Sequence, residues 1–104
     1  LKSGEPFGFA GLWEKWRSPE GAFIHSCTII TTMPNSMIEP IHNRMPVILT
    51  RGAEVPWLDP TNTDISKLRK LLIPYAANMM ETYKVSTLVN SPKNESPDVI
   101  NRLP

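Results

Sequence analysis

A chain of 104 residues holds one domain at most, near the lower end of the usual range, where a smaller share of the surface is buried than in a larger protein. Its formal net charge of +1, with 40% hydrophobic and 20% charged residues, excludes a global field that would attract nucleic acid or a membrane surface, so any anion binding must be local. The single cysteine, Cys27, excludes an internal disulfide and makes a reducing, cytoplasmic compartment the default. No run approaches the ~20 apolar residues that cross a bilayer, and no charged, apolar leader opens the chain, so no membrane partner is expected. Eleven prolines, in a chain where roughly 5% is usual, predict short elements joined by many turns. The chain opens on Leu1 without any start signal, as a truncated or cleaved polypeptide would.

In chain order, Phe7 to Trp13 alternates large and small residues. Phe7, Phe9 and Trp13 share one face with Gly11, and Gly8, Ala10 and Leu12 share the other, the pattern of a central strand closely packed on its small face. Arg17-Ser-Pro-Glu-Gly21 is a turn signal. Residues Ala22 to Thr32 then read as a second strand, with Phe23, His25, Cys27, Ile29 and Thr31 on one face and Ile24, Ser26, Thr28, Ile30 and Thr32 on the other. His25 and Cys27 place two soft ligands on one face and His42 offers a third. That set is too small for the common zinc patterns, so no metal and no other cofactor is expected. A Cys-His catalytic pair is no better supported, since a lone cysteine is usually a small hydrophobe.

Asn35 is placed to cap a short helix over Ser36 to Glu39 that Pro40 ends. The chain then reaches Ile41-His-Asn-Arg-Met-Pro-Val-Ile-Leu49. If strand geometry holds from Ile41, His42 and Arg44 project into one space at the mouth of a buried strand over Val47 to Leu49. Only an anion or a polarised substrate profits from both side chains; the plainer alternative is a partly buried, hydrogen-bonded histidine beside a surface cation. Thr50 to Val55 reads as a polar loop anchored by Trp57. Thr61 and Asp64 have capping-box spacing, and Ile65, Leu68, Leu71 and Leu72 form one apolar stripe with Lys67, Arg69 and Lys70 outside it, an amphipathic helix closed by Pro74. Tyr83 to Val89 alternates as a half-exposed strand near an edge. The tail over 90–104 is rich in Ser, Pro and Asn and reads as irregular, with one helical turn starting at Ser96-Pro97-Asp98.

Phe9-Ala-Gly-Leu-Trp-Glu14, Thr28-Ile-Ile-Thr-Thr32, Ile41 to Leu49, Trp57-Leu58, Val85-Ser86 and Val89-Asn90 together resemble the successive blocks of the SRAP family (SOS response-associated peptidase). The Ile-His-x-Arg-Met-Pro block after an Ile-Thr-Thr strand is the specific one. The resemblance covers nearly the whole chain and implies an α+β fold, a mixed, barrel-like β structure with a few short helices. It also implies recognition of abasic sites in single-stranded DNA. In that chemistry a cysteine at the mature N-terminus joins its amine and thiol to the ring-opened deoxyribose aldehyde as a thiazolidine, and the same cysteine is linked to autoproteolysis. The family histidine matches His42, in acid/base steps; the family arginine matches Arg44, on a DNA phosphate; and Thr31 falls where a strand-end threonine lies near the nucleic acid.

Side-chain chemistry agrees with those roles. Sugar opening and thiazolidine closure both move protons near neutral pH, where an imidazole with an ordinary pKa of ~6.5 is suited to act. A guanidinium offers a planar fork to phosphate. The departures limit the transfer. The family's nucleophilic cysteine, an asparagine and a catalytic glutamate belong to blocks that do not occur here. Glu14 belongs to the Gly-Leu-Trp block and does not take the glutamate's role, and Cys27 lacks a free α-amine. Residues 1–104 are therefore expected to be the C-terminal portion of one SRAP domain, partnered by the N-terminal half or by a second copy. On that reading an open sheet edge is paired by the partner, or apolar side chains such as Phe9 and Ile29 stay exposed. Abasic-site processing by the complete protein is the first functional reading; a binding or assembly role without catalysis is the alternative.

Overall fold

The structure, a computed structural model, describes residues 1–104. Its first element is a hairpin. Strand β1 (Gly11–Arg17) pairs antiparallel with β2 (Phe23–Ile29), with Gly11 opposite Ile29 and Arg17 opposite Phe23. The turn between them uses the expected residues: Gly21 adopts a φ of 87°, and its N–H donates to the Ser18 carbonyl at 2.9 Å. Two short strands, β3 (Thr31–Thr32) and β4 (Met45–Pro46), form a second antiparallel pair.

The pairs meet at one point. The Ala10 N–H donates to the Val47 carbonyl, the Val47 N–H to the Ile30 carbonyl and the Ile30 N–H to the Ala10 carbonyl, each at 2.9 Å. Three extended segments thus share their backbone groups in a closed ring, and the sheets diverge from it. The predicted strand over Phe7 to Trp13 therefore changes partner midway. Phe9 bridges Ile48, the Leu49 N–H donates to the Gly8 carbonyl, and β1 proper starts at Gly11. The predicted strand over Ala22 to Thr32 is interrupted at Ile30 for the same reason. Val47 to Leu49 forms no regular strand beyond β4; it pairs through the bridge at Ile48 and the Val47 and Leu49 backbone bonds. The barrel-like expectation is corrected: these residues form two two-stranded sheets, and no closed barrel.

Gly11 sits where the divergence begins. A Cβ there would lie 2.9 Å from the Thr28 carbonyl oxygen across the hairpin, closer than real Cβ atoms come to any neighbour. The close packing predicted for the small face thus occurs at a glycine on the other face.

Helix α1 (Arg51–Leu58) replaces the predicted polar loop. Pro56 lies inside it and removes one helical donor, which is what disguises the element in the sequence. Tertiary packing outweighs that cost. Ala53 is buried with Ala10, Val47 and Leu49, and Trp57, four residues on and so on the same helical face, packs against that cluster. Arg51 is held at the other end by Glu5 at 3.2 Å.

Helix α2 (Ile65–Arg69) ends earlier than the apolar stripe suggested. Its last turn tightens through Leu71 N–H to Leu68 carbonyl and Leu72 N–H to Arg69 carbonyl bonds, and Leu71 and Leu72 both pack on the core cluster. Asp64, rather than Thr61, is the N-cap, accepting from the Lys67 N–H at 3.2 Å. Thr61 is occupied elsewhere, donating its N–H and O–H to Asp59 Oδ1 at 2.9 and 2.7 Å.

No strand forms over Tyr83 to Val89. Ser86 Oγ accepts from the Leu88 N–H and starts a single 3-10 turn over Thr87–Asn90, a local alternative to a ladder. The tail is more ordered than expected. Val85 bridges Arg102, the Leu103 N–H donates to the Lys84 carbonyl at 2.9 Å, and a 3-10 turn runs over Pro97–Ile100 from the expected Ser96 cap. Asn35 to Pro40 is a turn rather than a helix.

Six residues are buried: Ala10, Met45, Val47, Ile48, Leu49 and Ala53. Both faces of the β1–β2 hairpin are exposed almost throughout, against the expectation of a central strand packed on its small face. Phe9 and Ile29 are 46% and 54% exposed. The radius of gyration is 17.3 Å, against about 13 Å for a compact domain of ~100 residues.

Gly11→Ala should destabilise the fold by roughly 1–3 kcal/mol, because the Thr28 carbonyl is backbone and cannot step aside. Gly8→Ala, where an added Cβ meets nothing within 4 Å, should be far milder, as read by urea denaturation followed by circular dichroism. The two Thr61 hydrogen bonds hold the Asp59 carboxyl below the usual carboxylate range. They therefore favour the folded state above the unfolded carboxyl's pKa, and that contribution is lost as pH falls through the folded one. In Thr61→Val the hydroxyl bond disappears, and an NMR titration should find the Asp59 carboxyl moved up toward its ordinary value.

Candidate functional site

Thr31, His42 and Arg44 converge. The Arg44 Nε–H donates to Thr31 Oγ1 at 3.2 Å and its Nη2 donates to the Thr31 carbonyl at 2.8 Å. The pairing of β3 with β4 makes this possible, since it sets Thr31 opposite Pro46, two residues beyond Arg44. A guanidinium has five N–H donors, so three remain for a ligand. None of the ion pairs in the structure involves Arg44. It is an exposed cation, braced on one side by a threonine and free of any carboxylate on the other.

His42 arrives by a different route from the one its spacing suggested. Strand geometry starts only at Met45; His42 lies at the end of the turn that begins at Asn35, and its own N–H donates to the Ile38 carbonyl at 2.9 Å. The imidazole is exposed rather than partly buried, yet it is oriented. Its Nδ1 lies 3.0 Å from the Arg44 N–H nitrogen and 3.0 Å from the Arg44 carbonyl oxygen. The backbone of Arg44 thus offers Nδ1 both a donor and an acceptor. With Nδ1 accepting, Nε2 carries the proton of the neutral ring; with Nδ1 donating, Nε2 is either a free base or the second N–H of the cation. Either tautomer is therefore compatible with this one ring position.

The imidazole lines a shallow groove of about 520 Å³ together with Met33, Pro34, Glu39, Pro40, Ile41 and Asn43. Glu39 is the one carboxylate along it.

Asn35 holds the turn in place, and its spacing marked it only as a cap. Oδ1 accepts from the Met37 and Ile38 N–H groups at 3.2 and 3.1 Å. Nδ2 donates to the Tyr75 carbonyl at 2.7 Å and lies 3.3 Å from Met80 Sδ. The segment from Tyr75 to Met80 thereby supports the His42 turn, a link across 40 residues of sequence that no local pattern displays.

His25 and Cys27 stay on the exposed hairpin, Cys27 opposite Trp13 and His25 opposite Lys15. The site at Thr31, His42 and Arg44 is formed without them.

The sequence profile described as "SOS response associated peptidase (SRAP)" matches residues 1–92. The chain is 60% identical over 100 residues to "Abasic site processing protein YoqW" of Bacillus subtilis (strain 168), covering 96% of this chain and 45% of YoqW. It is 33% identical over 93 residues to "Abasic site processing protein HMCES" of Gallus gallus, covering 88% of this chain and 27% of that protein. A crystal structure of a protein from Bacteroides thetaiotaomicron superposes with a TM-score of 0.82 at 29% identity, over 96% of this chain and 45% of that one. The chain thus spans less than half the length of these relatives.

Asn35→Ala removes donors and acceptors for four groups at once and should cost about 2 kcal/mol. Thermal unfolding measures that loss. Amide exchange should quicken at Met37, Ile38 and His42 before it does at Val47.

Proposed function

This chain belongs to the SRAP family, and from that membership we propose that it forms part of a protein that processes abasic sites in single-stranded DNA, supplying the acid/base and the phosphate-binding groups of the site. The observation that carries the reading is the connected trio of Thr31, His42 and Arg44, with three guanidinium donors and one imidazole nitrogen left unengaged at an exposed surface.

Arg44 takes a backbone phosphate beside the lesion. Bracing by Thr31 fixes the guanidinium plane before the ligand arrives, so little further rotamer freedom is lost on binding. His42 works through Nε2. It takes the C1′ hydroxyl proton as the sugar hemiacetal opens to the aldehyde and passes it to the departing ring oxygen; when the adduct closes, it protonates the hydroxyl that leaves as water, and reversal runs the same steps backward with water added. Switching the Nδ1 contact between the Arg44 N–H and carbonyl lets the ring change role without turning over.

The attacking group comes from outside residues 1–104. A thiazolidine needs a thiol and an α-amine on the same residue, and Cys27, the single cysteine, is in mid-strand with its nitrogen in a peptide bond. The same observation favours the second reading for the chain by itself: a binding or assembly role without catalysis. The autoproteolysis implied by the SRAP resemblance belongs with the same absent cysteine.

Mixing this chain with the part of YoqW that it does not match, in the presence of single-stranded DNA carrying an abasic site, should yield a covalent DNA–protein adduct on a denaturing gel. Neither piece should do so alone. In that mixture His42→Ala should slow adduct formation by about 100-fold or more, while Arg44→Ala should chiefly weaken DNA binding, with the loss recovered at high DNA concentration. An adduct formed by this chain alone overturns the assignment of the nucleophile. Full activity of His42→Ala overturns the role given to His42.

A further inference from the structure

The β1–β2 hairpin has two exposed faces of opposite chemistry. Ile30 and Ala10 pack into the core, so the alternation of the strands puts Leu12, Glu14, Trp16, Ile24, Ser26 and Thr28 on the core side of the ribbon. The other side carries Trp13, Lys15, Arg17, Phe23, His25 and Cys27. That outer side has two permanent cations, a histidine and no carboxylate, whereas the only charge on the inner side is Glu14. Neither Lys15 nor Arg17 enters an ion pair. Both rest on the Phe23 ring instead, the Lys15 Nζ 4.3 Å and the Arg17 Cζ 5.9 Å from its centroid. Trp13, farther along the same face, is 75% exposed.

The outer face also leads somewhere. Thr31 follows Ile29 with the same parity, on the side away from the core, and Thr31 is the residue that braces Arg44. The backbone from Thr31 through Ile29 and Cys27 to His25 and Phe23 spans roughly 26 Å at ~3.3 Å per residue, crossing at Ile30 the point where the two sheets diverge. A polyanion with flat apolar faces complements alternating cations and aromatic rings, which describes a single nucleic-acid strand.

We infer that the outer face of the β1–β2 hairpin is a single-stranded nucleic-acid track continuous with the Arg44 phosphate site, in which Trp13 and Phe23 stack on bases and Lys15 and Arg17 contact phosphates. The inference rests on the DNA-directed reading of Thr31, His42 and Arg44, and it adds a surface that binds the strand away from the lesion. The inner face, with Leu12, Trp16 and Ile24, continues the core side and is left to protein packing. On the track, cation contacts set affinity and salt dependence, and the rings accept any base.

Fluorescence anisotropy of a labelled, undamaged oligothymidine with this chain tests the track separately from lesion chemistry. The double variant Lys15→Glu/Arg17→Glu should bind about tenfold more weakly and should lower the slope of log K against log salt by roughly 1.4, two contacts at ~0.7 each for a single strand. Lys67→Glu/Arg69→Glu makes the same charge change on α2 and should stay within about twofold. Trp13→Ala should weaken binding by about fivefold or more, and Trp16→Ala, on the inner face, should not. Unchanged binding by the hairpin double variant overturns the inference, as does an equal loss in the two double variants or a loss confined to Trp16→Ala. Should the abasic-site adduct fail to form while undamaged DNA still binds through Lys15 and Arg17, the track stands and the proposed chemistry falls.

Discussion

Three backbone hydrogen bonds at 2.9 Å, running from Ala10 to Val47, Val47 to Ile30 and Ile30 back to Ala10, are the constraint on which the rest of this structure depends. Each of these residues lies on a different extended segment, and each spends its N–H inside the ring. The ring is dry: Ala10 and Val47 are fully buried, and α1 closes over it through Ala53 and Trp57. Backbone bonds that would compete with water at a surface are protected here by apolar side chains. From this point the segments separate, β1 and β2 outward as the hairpin and β3 and β4 toward the site.

Two residues of the candidate site stand one and three residues from that ring. Thr31 follows Ile30, and Arg44 precedes Met45 and Pro46, which lead into Val47. Register fixed at Ile30 and Val47 therefore brings the Thr31 carbonyl and hydroxyl within reach of the Arg44 guanidinium. His42 depends on a second support, the Asn35 turn and its bonds to Tyr75 and Met80. A cation held by neutral oxygen atoms keeps its full charge for a ligand, unlike Arg51 and Arg102, whose charges are met by Glu5 and Glu81. In a chain of net charge +1, Arg44 thus stays an exposed guanidinium outside every ion pair.

What the sequence made legible follows the range of the interaction. The turn at Ser18 to Gly21 and the Ser96 cap with Pro97 behind it rest on neighbours in sequence, and both are found as expected. The α1 helix was hidden because Pro56 is a local breaker while the Ala53 and Trp57 contacts that outweigh it are with Ala10, Val47 and Leu49. The strand at Tyr83 to Val89 failed for the opposite reason: its alternation was real, but Ser86 offered a local bond and the segment alongside pairs only at the Val85–Arg102 bridge. The central position expected for Phe7 to Trp13 was inferred from its alternation of large and small residues, and that pattern does not say whether a covering layer is present. At the site, His42 and Arg44 stood out through a short motif and Thr31 through the family resemblance, whereas Asn35 stood out only as a cap, because its partners at Tyr75 and Met80 lie forty and more residues away.

By itself the sequence determined the composition of the site, an imidazole and a guanidinium beside a short strand, and the residues that favour turns and caps. These follow from side-chain chemistry and from contacts a few residues apart. The tertiary structure decided that His42 is aligned through Nδ1 on the Arg44 backbone, that Arg44 is braced by Thr31, and that the strands split at Ala10, Ile30 and Val47 instead of running on. Those outcomes depend on backbone groups paired across the chain. A backbone N–H or carbonyl looks the same in every residue of a sequence, and only the folded path says which of them meet.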